Sequence, residues 1–248
     1  MDWKLTVVLG SIFIFGILEN LFPFFHYKQS LFRRVSTNFS LGLVNAIATS
    51  LTTTLLLKYV WTQTAWAGLF QFIKQPVLLV IISFLLLDIY MYSWHRLMHT
   101  LPIAWRFHRV HHTERLMNIS TSYRFHAVEV LLSHLPKIFL IWLFGIAPIF
   151  LLFYELIFTM SLAFHHSNWA IRFEIDKNLT YLIVTPNYHR VHHSQIIQET
   201  NSNYGSILSV WDRLFKSFRY RRNPQDIKLG LIEEPRELNL LKLIRLPF

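Results

Sequence analysis

His95 and His99 stand four residues apart, and the pentapeptide His-Arg-Val-His-His occurs twice, at 108–112 and 189–193. On a helix, spacings of three and four place side chains on one face, about one turn apart. Three helical segments can therefore point eight imidazoles, from His95, His99, His108, His111, His112, His189, His192 and His193, at a common centre. With histidine at about one residue in twenty, chance supplies roughly 0.03 copies of H-x-x-H-H in a chain of this length. Two are present. Packed imidazolium cations would repel, so such a group is stable when its members are neutral and bound to metal. Imidazole is a favoured ligand of Zn, Cu, Fe and Ni. A structural zinc takes about four ligands and a catalytic one about three plus water, so eight nitrogens fit two ions with four or five ligands each. There is no cysteine. That excludes disulfides, haem-thiolate chemistry and cysteine-held iron–sulfur clusters within this chain.

These residues need a scaffold, and its composition is that of a membrane protein. The 248 residues are 53% hydrophobic, include 22 Phe and are only 15% charged, against averages of about 45–50% apolar and 25% charged in soluble proteins. Apolar runs cover about 5–25, 41–60 and 76–94, each near the 20 residues that cross a hydrocarbon core. The first contains Glu19 late and lacks a small-residue cleavage site, so it reads as a retained membrane helix. A fourth block, 128–164, is broken by Gly145-Ile146-Ala147-Pro148 and reads as a helical hairpin. Lys137 makes its first arm short. The expected fold is an all-α integral membrane protein forming one membrane-embedded domain over 1–248. Its parts are transmembrane helices at 1–94, a first His-rich region at 95–127, the hairpin at 128–164, and a second His-rich region with a basic tail at 165–248.

The net charge of +10 resides mostly in loops and in the tail, where 12 of the 24 Lys and Arg lie beyond residue 164. A nucleic-acid binder carries such charge on a soluble surface, so nucleic acid is not the expected partner. Anionic lipid headgroups are. Segment 26–40 carries three Lys/Arg and 95–130 carries five, whereas 61–75 carries only Lys74. The positive-inside rule then puts the N-terminus outside and both His-rich regions in the cytoplasm.

The order of these histidines, H-x-x-x-H, H-x-x-H-H and H-x-x-H-H, resembles that of the fatty acid hydroxylase superfamily, also called the sterol desaturase family. Asp88 stands seven residues before His95, as in that family's "D…H-R-x-x-H" segment. Met117-Asn118-x-Ser120-Thr121-x-x-Arg124-Phe125-His126-x-x-Glu129 is similar to the stretch after its second box. Phe164-His165-His166-Ser167-Asn168 resembles its HSN/HAN element, and Asn203-Tyr204-Gly205 with Trp211-Asp212-Arg213-Leu214-Phe215 its C-terminal signature. The resemblance covers about 80–220. Two positions depart from the pattern: Ala127 replaces the usual Pro, and Lys216 the usual Gly.

The resemblance implies a membrane-bound, non-haem di-iron oxygenase that uses O2 and two external electrons to hydroxylate or desaturate a lipid C–H bond in a fatty acyl, sterol or ether lipid. It adds His166 as a ninth ligand. His126 and His165 become ligands or partners of ligands. Asp88, Asn203 and Asp212 become candidates to accept a ligand's imidazole N–H, a task that fixes tautomer and orientation; a cap or turn role is the alternative for the last two. Isolated His26 and His134 read as an interfacial and a packed side chain. Trp94, Trp105, Phe107 and Phe125 are candidates to line lipid access or to act as interfacial aromatics. The chain shows no flavin or haem module, so electrons are expected from a ferredoxin, a cytochrome b-type protein or a reduced pterin. A bacterial inner membrane is the favoured location, the endoplasmic reticulum the other. The rival readings are a metal-handling or transport protein, with polar groups near the bilayer midplane, and a haem-binding electron carrier.

Overall fold

The computed structural model describes residues 3–63, 65–222 and 224–248. Among them the regular structure is helical, and strand pairing is confined to three isolated bridges such as Ile183 with Leu208. The long helices come first: α1 (Trp3–Leu21), α2 (Phe32–Gln63), α3 (Pro76–Thr100), α4 (Pro102–His112), α5 (Ala127–Phe144) and α6 (Pro148–His166). Shorter ones follow: α7 (Phe173–Leu179), α8 (Pro186–His192), α9 (Ile197–Thr200), α10 (Val210–Leu214) and α11 (Leu240–Arg245). Among the described residues four helices, α2, α3, α5 and α6, are long and apolar enough to cross a membrane. They turn large apolar side chains outward, among them Leu43, Ile47, Val77, Phe139 and Ile149. In water such a surface would drive aggregation; in hydrocarbon it carries no penalty.

Prolines set where the helices begin. Pro76, Pro102, Pro148 and Pro186 each stand in a first turn, where the missing N–H is not needed and the fixed φ already suits a helix. Pro102 matters most to the site. Leu101 ends α3 and starts α4, so the chain bends there and carries His108 and His112 back against His95 and His99. The hairpin turns at Gly145, which closes α5 in the left-handed region at φ 71. A Cβ there would lie 2.3 Å from the Ala67 carbonyl oxygen, so the turn is also a point of backbone contact.

The ends of the bundle differ. At one end the 65–75 connection meets the hairpin turn, with Trp61 donating to the Ile146 carbonyl and Trp66 to that of Leu143. At the other end gather the ends of α3 and α6 and the polar chain after α6. Glu19 explains itself here: its carboxylate accepts from the Ile119 and Asn168 backbone N–H groups, tying the end of α1 to both His-rich regions. Glu114, fully buried, accepts from Arg34 at 2.7 Å, from Asn38, and from the N–H groups of Arg115 and Leu116. Burial alone would push its carboxyl up; Arg124, Arg34 and these bonds outweigh that and hold it below the usual carboxylate range.

Lys137 does not shorten the first hairpin arm. It pairs with Glu155 of α6 at 2.8 Å, which neutralises it within the bundle and leaves α5 continuous over 18 residues.

Candidate metal centre

Nine imidazoles converge where α3, α4, α6 and α8 meet, and they form two groups. His95, His99, His108, His112 and His192 make one; His111, His166, His189 and His193 make the other. Within each group, one nitrogen from every ring lies within 4.8 Å of those from the rest. The expected nine ligands shared by two ions, four or five each, correspond to these two groups, with His166 supplied by α6 as the fourth segment. Each H-x-x-H-H supplies an i, i+4 pair to one group and its middle histidine to the other. Consecutive residues on a helix point about 100° apart, so His111 and His112 are directed to opposite groups, as are His192 and His193.

Hydrogen bonds fix which nitrogen is free. In the five-member group, Nδ1–H of His95 donates to the Tyr204 carbonyl (2.9 Å), that of His192 to the Ser202 carbonyl (2.7 Å), that of His99 to Asn201 Oδ1 (3.3 Å) and that of His108 to the Glu129 carboxylate (2.7 Å). A neutral imidazole with its proton on Nδ1 has a lone pair on Nε2. The Nε2 atoms of all five rings are buried and have no hydrogen-bond partner. On His95, His99, His108 and His192 that atom is an unpartnered acceptor, costly unless a cation satisfies it.

In the four-member group His166 donates from Nδ1 to the Leu162 carbonyl, so its Nε2 also carries a lone pair. That atom lies 3.1 Å from His111 Nε2 and 3.0 Å from His189 Nε2, and His189 Nε2 lies 3.2 Å from His193 Nε2. A ring nitrogen has one in-plane direction and cannot bond two neighbours at once. A shared ion resolves the crowding, because metal–nitrogen bonds of about 2.1 Å separate adjacent ligands by about 3.0–3.4 Å. Burial pushes His111, His112, His189, His192 and His193 well below their ordinary value, and the neighbouring imidazoles add to the effect. These rings are neutral near pH 7, the form in which imidazole binds metal. The donor set fits ions of the imidazole-preferring class.

The supports were only partly foreseen. Asp88 does not reach an imidazole: seven residues before His95, it lies two turns, roughly 10 Å, down α3, and accepts instead from Trp211 Nε1 (2.8 Å) and the Leu208 N–H. It thereby fastens the chain after α9 to a membrane helix. Asp212 also holds no imidazole. It accepts from Tyr188 Oη, Ser217 Oγ and the N–H groups of Tyr204 and Gly205, linking α8 to the carbonyl that orients His95. Asn203, at φ 57, is a turn residue whose side chain bonds the Tyr188 and Arg219 backbones. His126 lies outside both groups; it caps α5 through Val128 N–H and meets the Ile244 carbonyl. His165 is buried beside them, 4.2 Å centre to centre from His189, but belongs to neither. Arg190, between the paired histidines of α8, is fully buried and donates to the Ser167 and Trp169 carbonyls, locking α8 to the end of α6. Of the oriented partners, Glu129 carries a sequence signal, an acid opening an apolar helix. The carbonyls of Tyr204 and Ser202 carry none.

Beside His95, His108, His111, His166 and His189 lies a pocket of about 50 Å³, also lined by His165. It shares Met91, Trp94, Phe125, Glu129, Phe158 and Leu162 with a second cavity of about 250 Å³ that runs between α2, α3, α5 and α6 toward Lys137 and Glu155. Phe125 stacks on His111 at 4.2 Å. Trp105 instead contacts His99 and His112 from outside the cavity, and Phe107 packs on His126 and Phe248.

Comparison with known proteins gives a consistent picture. A family model described as fatty acid hydroxylase matches residues 80–217. An alkylglycerol monooxygenase from Danio rerio is 33% identical over 142 residues, 55% of this chain and 30% of that protein. An ornithine lipid hydroxylase from Rhizobium tropici is 31% identical over 153 residues, 61% of this chain and 45% of that protein. Lathosterol oxidase from Homo sapiens is 27% identical over 154 residues, 61% and 47% of the two chains. The match thus spans less than half the length of each of these relatives. No solved structure matches the chain.

Proposed function

The chain belongs to the fatty acid hydroxylase family, and from that premise we propose that it is a membrane-bound di-iron oxygenase that hydroxylates a lipid C–H bond. His95, His99, His108, His112 and His192 would hold one iron, and His111, His166, His189 and His193 the other. Bound there, the pair supplies oxygen activation, R–H + O2 + 2e− + 2H+ → R–OH + H2O. The observation that carries this reading is the two groups of converging, inward-facing imidazoles placed against an apolar cavity within the membrane helices.

The protein's own residues do the positioning. Tyr204, Ser202, Asn201 and Glu129 hold four rings in the tautomer that leaves Nε2 free, and such outer partners sustain metal affinity. Imidazole ligands carry no negative charge when they bind metal, so ions held by these histidines would keep their positive charge. Met91, Trp94, Phe125, Phe158 and Leu162 line both the larger cavity between the membrane helices and the pocket at the rings, so a lipid chain held there would have its reacting carbon screened from solvent. The names of the relatives, which act on alkylglycerol, ornithine lipid and lathosterol, agree on lipid oxidation and differ in substrate. Electrons come from an external carrier, a ferredoxin, a cytochrome b-type protein or a reduced pterin. The basic residues near the histidine end orient that end to the cytoplasm, in a bacterial inner membrane.

Comparing lipid extracts from cells carrying the wild type and His108→Ala tests the reading. A lipid species shifted by one oxygen, or by two hydrogens for desaturation, is expected only with the wild type. Identical lipids under aerobic growth would overturn it.

A further inference from the structure

The larger cavity says something about the lipid it takes. Most polar groups on its wall are already satisfied. Lys137 and Glu155 pair with each other. Ser122 Oγ donates to the Ile119 carbonyl, Ser133 Oγ to that of Val130, and His134 Nδ1–H also to Val130. Two acceptors are different. Glu129, 5% exposed, uses Oε1 to hold His108 and leaves Oε2 without a partner. Asn45, 9% exposed, spends its N–H2 on the Phe125 carbonyl and leaves Oδ1 without a partner. Both residues line the cavity, and Glu129 also lines the small pocket against the rings.

An unsatisfied buried acceptor disfavours a purely hydrocarbon occupant, since a chain of methylenes would seal it away from any donor. An occupant with an O–H or N–H at that height restores the bond. Sites built to bond a substrate hydroxyl or amide reject analogues that lack it far more strongly than apolar pockets reject size variants.

We propose that Glu129 Oε2 and Asn45 Oδ1 form a donor-recognition subsite that selects lipids bearing a hydroxyl or N–H a few bonds from the carbon to be oxidised. Plain acyl or alkyl chains are excluded. The proposal rests on the oxygenase reading only for which carbon reacts; the recognition itself follows from the cavity wall. Glu129 touches the donor through one oxygen and positions His108 through the other.

The test uses the metal-loaded full chain in uncharged detergent micelles with two matched pairs of probes, 1-hexadecanol and its methyl ether, and N-methylhexadecanamide and its N,N-dimethyl form. Apparent Kd is read from the rise in melting temperature, and oxidation products by mass spectrometry in aerated samples supplied in turn with a reduced ferredoxin, a reduced cytochrome b-type protein and a reduced pterin. The alcohol and the secondary amide are expected to bind at least about tenfold more tightly than their methylated partners. Asn45→Leu should erase much of that difference, and Asn45→Asp, which keeps the acceptor, should retain it. Equal binding of both members of each pair by the wild type overturns the proposal, as does an unchanged preference in Asn45→Leu. Preference without oxidation of any lipid leaves the subsite standing and removes the oxygenase reading. Oxidation without preference does the reverse.

Discussion

Replacing Asp212 by Asn is a one-atom change whose cost follows from the donors around it. Oδ1 accepts from Tyr204 N–H (2.8 Å) and Ser217 Oγ (2.7 Å), and Oδ2 from Gly205 N–H (2.7 Å) and Tyr188 Oη (2.6 Å). The hydroxyls can rotate to accept, but the two backbone N–H groups cannot. Whichever way the new amide turns, its NH2 faces one of them, leaving a buried N–H unsatisfied at about 1–3 kcal/mol. The other bonds lose their charge assistance, which removes about half their strength. Against this, burial raises the Asp212 carboxyl above the usual range, so losing the charge returns part of the cost. A net destabilisation of about 3 kcal/mol results, or about 6–12 °C in Tm for a chain of this size. Because Tyr204 orients His95 and Tyr188 adjoins His189, metal affinity should also fall by about 10–100-fold. Thermal melts in detergent and metal retention during dialysis against a chelator measure both. A Tm within about 2 °C of the wild type, with unchanged retention, would refute the assignment of Asp212 as the support of both histidine regions.

Other outcomes follow from single positions. Lys216 sits at φ 59, where L side chains are strained by about 1–2 kcal/mol; Lys216→Gly should stabilise by about 0.5–1 kcal/mol after the unfolded-state entropy of glycine is subtracted, readable as a rise in Tm. Ala127 opens α5, so Ala127→Pro should be neutral or stabilising by up to about 1 kcal/mol in the same melts. The Glu114 carboxyl is held below its ordinary value, so the folded state gains stability from it at pH above about 4.5 and loses that gain as pH falls through the folded pKa. Glu114→Gln should therefore lower Tm at pH 7 and flatten its dependence on pH between about 5 and 3.

Much of this was legible in the sequence because membrane helices are written in long apolar runs and imidazole clusters in short spacings. The hairpin could be read from Gly145 and Pro148, whose backbone limits leave few alternatives. What could not be read falls into two kinds. The Lys137–Glu155 pair joins residues from the two arms of the hairpin, so Lys137 taken alone looked like an obstacle to a spanning helix. The division of the histidines into five and four depends on the bend at Leu101 and on how α8 is docked by Arg190, and an intramembrane Asp88 looked like an imidazole partner until its two-turn distance along α3 was fixed. The carbonyls that orient His95 and His192 belong to the backbone, which has no residue code. Lys216 works the other way: its departure from the family's Gly is visible in the sequence, and its φ supplies the reason Gly is usual there.

Metal analysis of the purified protein bears most directly on the two imidazole groups. About two irons per chain, with no haem absorption band, are expected for the wild type, and about one for each of His99→Ala and His189→Ala, which remove a ligand from different groups. A wild type that binds no iron after reconstitution, or holds only a single ion lost equally in both variants, would contradict a paired centre.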